Sequence, residues 1–422
     1  MSDSKGQPIF PKNFYWGAST ASHQVEGNNH NDWTIWELGH ASELAHTAKK
    51  RLDWLPAWEQ FESQATKPEN YVSGKGVDHY NKYEEDLDIV RSLNMNSFRF
   101  GLEWSRIEPE EGVWDEEVIA HYREYIKAMR ERDIEPFLNI FHWTMPAWFT
   151  EKGAFKYHKN ITFFTQFVKK ISDEFGADLS YILTLNEPNV YASFSYLTGE
   201  WTPNEKSVWS FVRVYLNLVT AHKKAYRLLK AAHPHLQIGI AQQLSNIQAK
   251  RPHNIVDSVI TKITRYAWNW WFYRRIRNQQ DFVGFNYYFT DYYHNFHKTN
   301  PAAPVNDLGW YMEPEGVYPL LLRIWARYKK PIFITENGVA DANDQYRRWW
   351  IEETVVAMER ALSEGVDLRG YFHWSLLDNF EWKYGWWPKF GLVEVDRKNG
   401  MKRTVRPSAK WFGELLRQIR HS

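Results

Sequence analysis

The sequence predicts a closed (β/α)8 barrel, the TIM-barrel architecture, as one domain over residues 1–422. Three observations point there: eight short apolar runs, amphipathic helical stretches between them, and polar or aromatic side chains where the runs end. The runs are 14–18, 97–102, 136–141, 181–185, 237–241, 281–286, 331–335 and 370–374. They are apolar almost throughout, as strands covered on both faces must be. Helical periodicity fills 80–93, 116–130, 162–175, 208–231 and 351–362, so strand and helix alternate along the chain. An open doubly wound sheet is the alternative. No G-x-G-x-x-G turn follows any strand, which leaves dinucleotide binding without support. The stretch 39–76 is polar and poorly patterned, and reads as a loop inserted after the first strand, over the barrel mouth. Residues 301–304 read as a similar loop after strand six.

Composition narrows the function classes. The chain has 422 residues, 43% hydrophobic and 24% charged, which are globular proportions. A net charge of +1 gives no general attraction to nucleic acid or to an anionic membrane. No cysteine is present, so disulfides, thiolate catalysis and cysteine–zinc sites are excluded. The first eight residues lack an apolar signal core and no run approaches membrane-spanning length, so a soluble, cytoplasmic protein is expected. Aromatic residues are the outlier at 17%, with 23 Trp. Many stand beside hydrogen-bonding side chains, a combination that suits sugars, whose C–H faces stack on rings while their hydroxyls bond polar neighbours.

In such barrels the site is built at the carboxyl ends of the strands. Taken in order, those ends carry Gln24, Arg99, His142 with Trp143, Asn186 with Glu187, Asn286 with Tyr288, Glu336 and Trp374. Two of these are carboxylates in matched settings. Glu187 follows the run Tyr181-Ile-Leu-Thr-Leu-Asn186, and Glu336 follows Pro331-Ile-Phe-Ile-Thr335. Pro188 biases Glu187 toward extended backbone. Asn337 and Gly338 tolerate positive φ and are expected to turn the chain straight after Glu336. Paired carboxyls across a barrel mouth are what glycosidic-bond cleavage requires: about 5–5.5 Å apart for retention and about 6.5–9.5 Å for inversion. Arg99 is the candidate for holding one of them ionised. A lone His142, with no second histidine at ligand spacing, argues against a metal site, and no cofactor is expected.

Ordered motifs extend this reading. They run Phe14-Tyr-Trp-Gly-Ala-Ser-Thr-Ala-Ser-His-Gln-Val-Glu-Gly27, Phe98-Arg-Phe100, Trp104-Ser-Arg-Ile107, His142-Trp143 and Thr184-Leu-Asn-Glu-Pro188. Asp281-Phe-Val-Gly-Phe-Asn-Tyr-Tyr288, Ile334-Thr-Glu-Asn-Gly338 and Trp374-Ser-Leu-Leu-Asp-Asn-Phe-Glu-Trp382 complete the series. Over 14–412 the chain resembles glycoside hydrolase family 1, retaining β-glucosidases and β-galactosidases on (β/α)8 barrels. The resemblance implies that Glu187 is the acid/base and Glu336 the nucleophile. Tyr288 and Arg99 would support the nucleophile, and Asn186 would bond the sugar 2-hydroxyl. Gln24, His142, Glu381 and Trp382 would hold the outer hydroxyls, beside Trp143. Trp374 would form the stacking floor, and Trp310 the aglycone side. It also implies small β-glycosides and short oligosaccharides as substrates. Departures are Thr144, where many members place Asp, and the span 243–280, which lacks a Gly-x-Tyr-Pro segment and should open one aglycone wall. Glu381-Trp-Lys-Tyr-Gly-Trp-Trp-Pro388 takes the place of the phosphate cradle of phospho-sugar members, and the Glu381 carboxylate would repel a 6-phosphate. A transglycosylating enzyme and an inactive sugar-binding barrel are the competing readings. The basic aromatic stretch 270–277 reads as a solvated helix face.

Overall fold

The computed structural model describes residues 10–299 and 304–421. Eight parallel strands close into a barrel: β1 Tyr15–Ser19, β2 Ser97–Gly101, β3 Glu135–Phe141, β4 Tyr181–Asn186, β5 Gln237–Gln243, β6 Val283–Tyr287, β7 Ile332–Asn337 and β8 Leu368–Trp374. Each strand pairs with its neighbours in sequence, and β1 closes the ring on β8 with Tyr15 opposite Gly370 and Ser19 opposite Trp374. All eight expected strands form, with ends shifted by at most two residues. Asp281 stops short of β6 because its carboxylate accepts from the Ile238 N–H at 2.9 Å, at the start of β5.

The expected helices also form, as His79–Ser92, Glu116–Glu131, Ile161–Phe175, Val208–Ala232 and Arg347–Ser363. Asp115 caps the second by accepting from the N–H groups of Glu117 and Val118, the role for which its short carboxylate is suited. The amino-terminal end of the barrel is sealed by aromatic side chains. Phe137, Phe282, Phe333 and Phe372 pack with Tyr15 and Tyr181. Phe137 stacks on Tyr181 with centroids 4.2 Å apart and meets Phe372 edge-on at 4.7 Å. This plug is a packed layer of the barrel interior, and it gives the opposite, polar end a rigid base.

Three expectations need correction or restriction. The stretch 39–76 is mostly helical, made of the end of Asp32–His46, then Ala48–Leu52, Trp58–Ala65 and a 3-10 turn at Pro68–Tyr71. Its polar residues are solvated sides of short helices. Leu55, Trp58 and Phe61 face inward and pack with Trp374, Trp387 and Phe390, so the insertion does lie against the barrel mouth. Phe61 stacks on Trp387 at 3.8 Å. In 270–277 the aromatic residues are not solvated: Trp270, Phe272 and Tyr273 are buried, and only Arg274 and Arg277 are exposed. The amino-terminal eight residues and most of the 301–304 loop lie outside the described residues. No helix among the described residues is long and apolar enough to cross a membrane.

The turn expected straight after Glu336 does not form: β7 runs on through Asn337, and neither Asn337 nor Gly338 has positive φ. Gly338 is needed for close approach instead: a Cβ there would lie 1.8 Å from the carbonyl oxygen of Trp374. Backbone against backbone leaves no flexible group to give way. Gly338→Ala should therefore destabilise the protein by about 2 kcal/mol or more, read as a lowered Tm in thermal unfolding. An unchanged Tm would show that β7 and β8 separate freely at this point.

Candidate active site

Glu187 follows β4 directly and has φ 41° and ψ 59°, a left-handed conformation. The extended backbone expected from Pro188 is overruled. The chain turns at the carboxylate itself, and Pro188 opens the helix Pro188–Ala192, where its missing N–H is of no consequence. Tertiary bonds hold the turn: the Glu187 N–H donates to the Ala241 carbonyl of β5 at 2.6 Å, and the Glu187 carbonyl accepts from the Tyr191 N–H at 3.0 Å. Trp143 and Trp382 also have positive φ, 75° and 47°. Each such non-glycine residue costs roughly 1–3 kcal/mol, and surrounding structure must over-determine it. Glu336 is placed differently, inside β7, where the register against β6 shifts between Ile334 and Glu336. Such an irregularity re-aims a side chain.

One hydrogen-bonded network joins the two carboxyls. Arg99, fully buried on β2, donates to Glu336 Oε1, and through its other terminal nitrogen to Asn186 Oδ1 at 2.7 Å. The Tyr288 hydroxyl donates to Glu336 Oε2 at 2.6 Å. Asn286 donates its amide to Glu187 Oε1 at 2.8 Å and to Asn186 Oδ1 at 3.2 Å, while its own oxygen accepts from the Thr335 hydroxyl at 2.6 Å. Glu187 and Glu336 line one cavity of about 330 Å³.

The electrostatics separate the acids. Burial pushes the Glu187 carboxyl well above the usual range, and the charge of Glu336 adds to it, against the Asn286 bond and Arg99. Burial, then Glu336, pushes Glu381 up to about 8. Burial and the neighbouring carboxylate keep the Tyr288 hydroxyl protonated. His142 is held well below the usual histidine range by burial and by Arg99, so it is neutral. Its tautomer follows from bonding. Asn186 Oδ1 already accepts from Arg99 and Asn286, so the Asn186 amide donates to His142 Nε2 at 3.0 Å. The imidazole proton is therefore on Nδ1, which is buried without a partner, as are Gln24 Oε1 and Glu381 Oε2. A polyhydroxylated ligand offers donors and acceptors for such groups.

Of the residues singled out from sequence, His142, Trp143, Glu187, Tyr288, Trp310, Glu336, Trp374, Glu381 and Trp382 line the cavity. Gln24, Arg99 and Asn186 are fully buried behind its wall. Sequence reasoning missed Asn286 as the partner of Glu187, and missed Phe194, Glu200, Trp201, Trp268, Lys298 and Lys383 on the wall. Trp201 packs on Trp143 at 4.6 Å. Lys383 forms an ion pair with Glu200 at the mouth. The expected gap in 243–280 is filled in part by Trp268, whose Nε1–H donates to Gln243 Oε1. A tryptophan in a segment expected to leave the wall open was the one available signal.

The model of Glycosyl hydrolase family 1 matches residues 6–275 and 272–420. Beta-glucosidase A of Acetivibrio thermocellus is 28% identical over 465 residues, covering 97% of this chain and 98% of that one. A beta-glycosidase from Pyrococcus horikoshii superposes with a TM-score of 0.85 at 31% identity, covering 98% of this chain and 96% of that one. The beta-glucosidase from Thermotoga maritima in complex with glucoimidazole has a TM-score of 0.85 at 26% identity, with 97% and 99% covered.

The repulsion between the two acids yields a signed prediction. Glu336→Gln removes a charge that raises Glu187, so Glu187 should ionise at lower pH in the variant. Carboxyl 13C NMR titration reads this directly. A Glu187 titration unmoved by the substitution would show that burial alone sets it.

Proposed function

The chain belongs to Glycosyl hydrolase family 1, and on that premise we propose a retaining β-glycosidase that releases terminal non-reducing β-D-glucosyl residues, with side activity on galactosides and fucosides. The observation that carries this reading is the unequal treatment of two carboxyls in one cavity. Glu336 takes a donor on each oxygen, from Arg99 and Tyr288. Glu187 is buried beside that charge, and burial with the repulsion holds its proton to higher pH than an ordinary carboxyl. The first supports a nucleophile held in one orientation, the second a general acid.

In the first step Glu336 attacks the anomeric carbon while Glu187 protonates the departing oxygen, leaving a covalent glycosyl-enzyme. Glu187, ionised by that transfer and no longer facing a charged Glu336, then takes a proton from water, which attacks the same carbon, breaks its bond to Glu336 and releases the sugar with the Glu336 carboxylate restored. The stereochemistry is inverted twice and so retained. The buried, unpartnered atoms of Gln24, His142 and Glu381 support binding of the outer hydroxyls. Trp374, Trp382 and Trp143 supply apolar rings around them. Glu381 serves a 4-hydroxyl in either configuration, which supports tolerance of glucose and galactose.

A panel of nitrophenyl β-glycosides ranked by kcat/KM tests the activity and the glycone together. The β-glucoside should lead, and product NMR should show retention; an inverted product would end the mechanism. Glu187→Ala should lower kcat by roughly 10²–10⁴-fold on poor leaving groups, less on dinitrophenyl substrates, with added azide giving the β-glycosyl azide. Glu336→Gly should abolish turnover, and azide should then give the α-azide from an activated β-glycoside. Azide products of the opposite configurations would exchange the two roles.

A further inference from the structure

One helix of this molecule is built inside out. In Ile255–Arg265 the buried positions are Asp257 and Thr261, whereas Ile255, Val259 and Ile263, spaced by four and therefore on one line, are 79%, 48% and 63% exposed. The polar side is turned inward, held by Asp257. Asp257 accepts from Arg251 at 2.9 Å and from the Asn295 N–H at 2.7 Å. That second bond pins the tip of the hairpin formed by Thr290–His294 and His297–Thr299 against the helix, and the tip presents Phe296, 80% exposed. Together these side chains leave an apolar stripe on the order of a few hundred Å² open among the described residues, the size at which a patch marks an interaction surface.

The charge around the stripe is as one-sided as its polarity. Residues 242–280 hold seven Lys or Arg and one acid, Asp257, in a chain whose net charge is +1. The near-neutral total therefore hides a local excess. Lys262 and Arg265 lie along one edge of the stripe by helical geometry. Arg265 interacts with Arg323 and Arg327 of the helix Val317–Tyr328, and burial with these like charges pulls Arg323 down to about 10. None of the three has a carboxylate partner among the described residues. A second copy of the chain in a two-fold contact would set these cations against themselves. An anionic phospholipid surface would pair with all of them while its acyl boundary covers the apolar stripe.

We propose that this face docks the protein peripherally on an anionic lipid bilayer. The same segment supplies Trp268, and the same hairpin Lys298, to the cavity wall, so docking sets the cavity mouth beside the lipid surface. The test is flotation of the full chain with vesicles of phosphatidylcholine alone or with about a third phosphatidylglycerol, at low and high salt. Binding should require phosphatidylglycerol and weaken with salt. In the double variant Val259→Glu, Ile263→Glu it should fall at least about tenfold, while turnover of a soluble nitrophenyl β-glycoside stays at the wild-type level, showing that the variant folds. A single variant, Arg327→Glu, should weaken binding with the stripe intact. Equal binding to neutral vesicles, binding indifferent to these substitutions, or no binding to either vesicle overturns the proposal. Sedimentation velocity showing a dimer that the double variant dissolves would assign the face to a second copy.

Discussion

The guanidinium of Arg99, buried on β2 and shared between Glu336 and Asn186, is the interaction from which the rest of the mouth follows. Besides Glu200, three carboxyl groups, Glu187, Glu336 and Glu381, line the same cavity. The lysines there, Lys298 and Lys383, are already paired with Asp291 and Glu200. A single embedded cation offsets a single anion at short range, and further ionisation meets both desolvation and repulsion. Glu187 and Glu381 accordingly keep their protons to higher pH. Burial and then the same cation keep His142 neutral, which in turn leaves its Nδ1–H as a donor. Acid, anion and neutral donor thus follow from burial together with one arginine at one strand end, which is enough to offset one carboxylate and no more.

Holding these groups to geometry falls to the backbone. Trp143, Glu187 and Trp382 adopt a conformation that their side chains disfavour, on loops after three different strands. What sustains them is packing and bonding from elsewhere: Ala241 to Glu187, Asn186 to the Trp143 ring nitrogen at 3.0 Å, and Trp33 against Trp382 at 4.6 Å. The aromatic plug at the other end stiffens the strands that carry these contacts. A loop-borne site gains the precision of a strand-borne one because its strain is locked from below.

The barrel was legible because strands buried on both faces leave continuous apolar runs, and 97–102 or 181–185 admit no other reading. The two glutamates were legible as strand-end carboxyls. Their local conformation was not: a rule about residues before proline expects Glu187 to be extended, and bonds to residues 54 positions away override it. Asn286 was visible at its strand end, but its bond to Glu187 spans 99 residues and leaves no local trace. The helices within 39–76 were hidden because short helices with one thin apolar edge lack a clear period. Ile255–Arg265 was not among the helices read from sequence, and which of its sides faces the protein is decided by Asp257 and its bonds to Arg251 and Asn295, beyond the reach of periodicity.

The direction of the hydrogen bonds around Glu187 has a consequence for how the residue is reloaded. Thr335 donates to Asn286, and Asn286 donates to Glu187 and Asn186. A carboxamide gives a hydrogen bond without passing a proton along it. This side of the site is a one-way brace, not a Grotthuss relay. Hydrons lost or gained by Glu187 must cross the cavity itself, the doorway that the leaving alcohol and the incoming water would use under the proposed function. Chemistry and solvent exchange would then share one passage, and a tightly seated aglycone would close it to both.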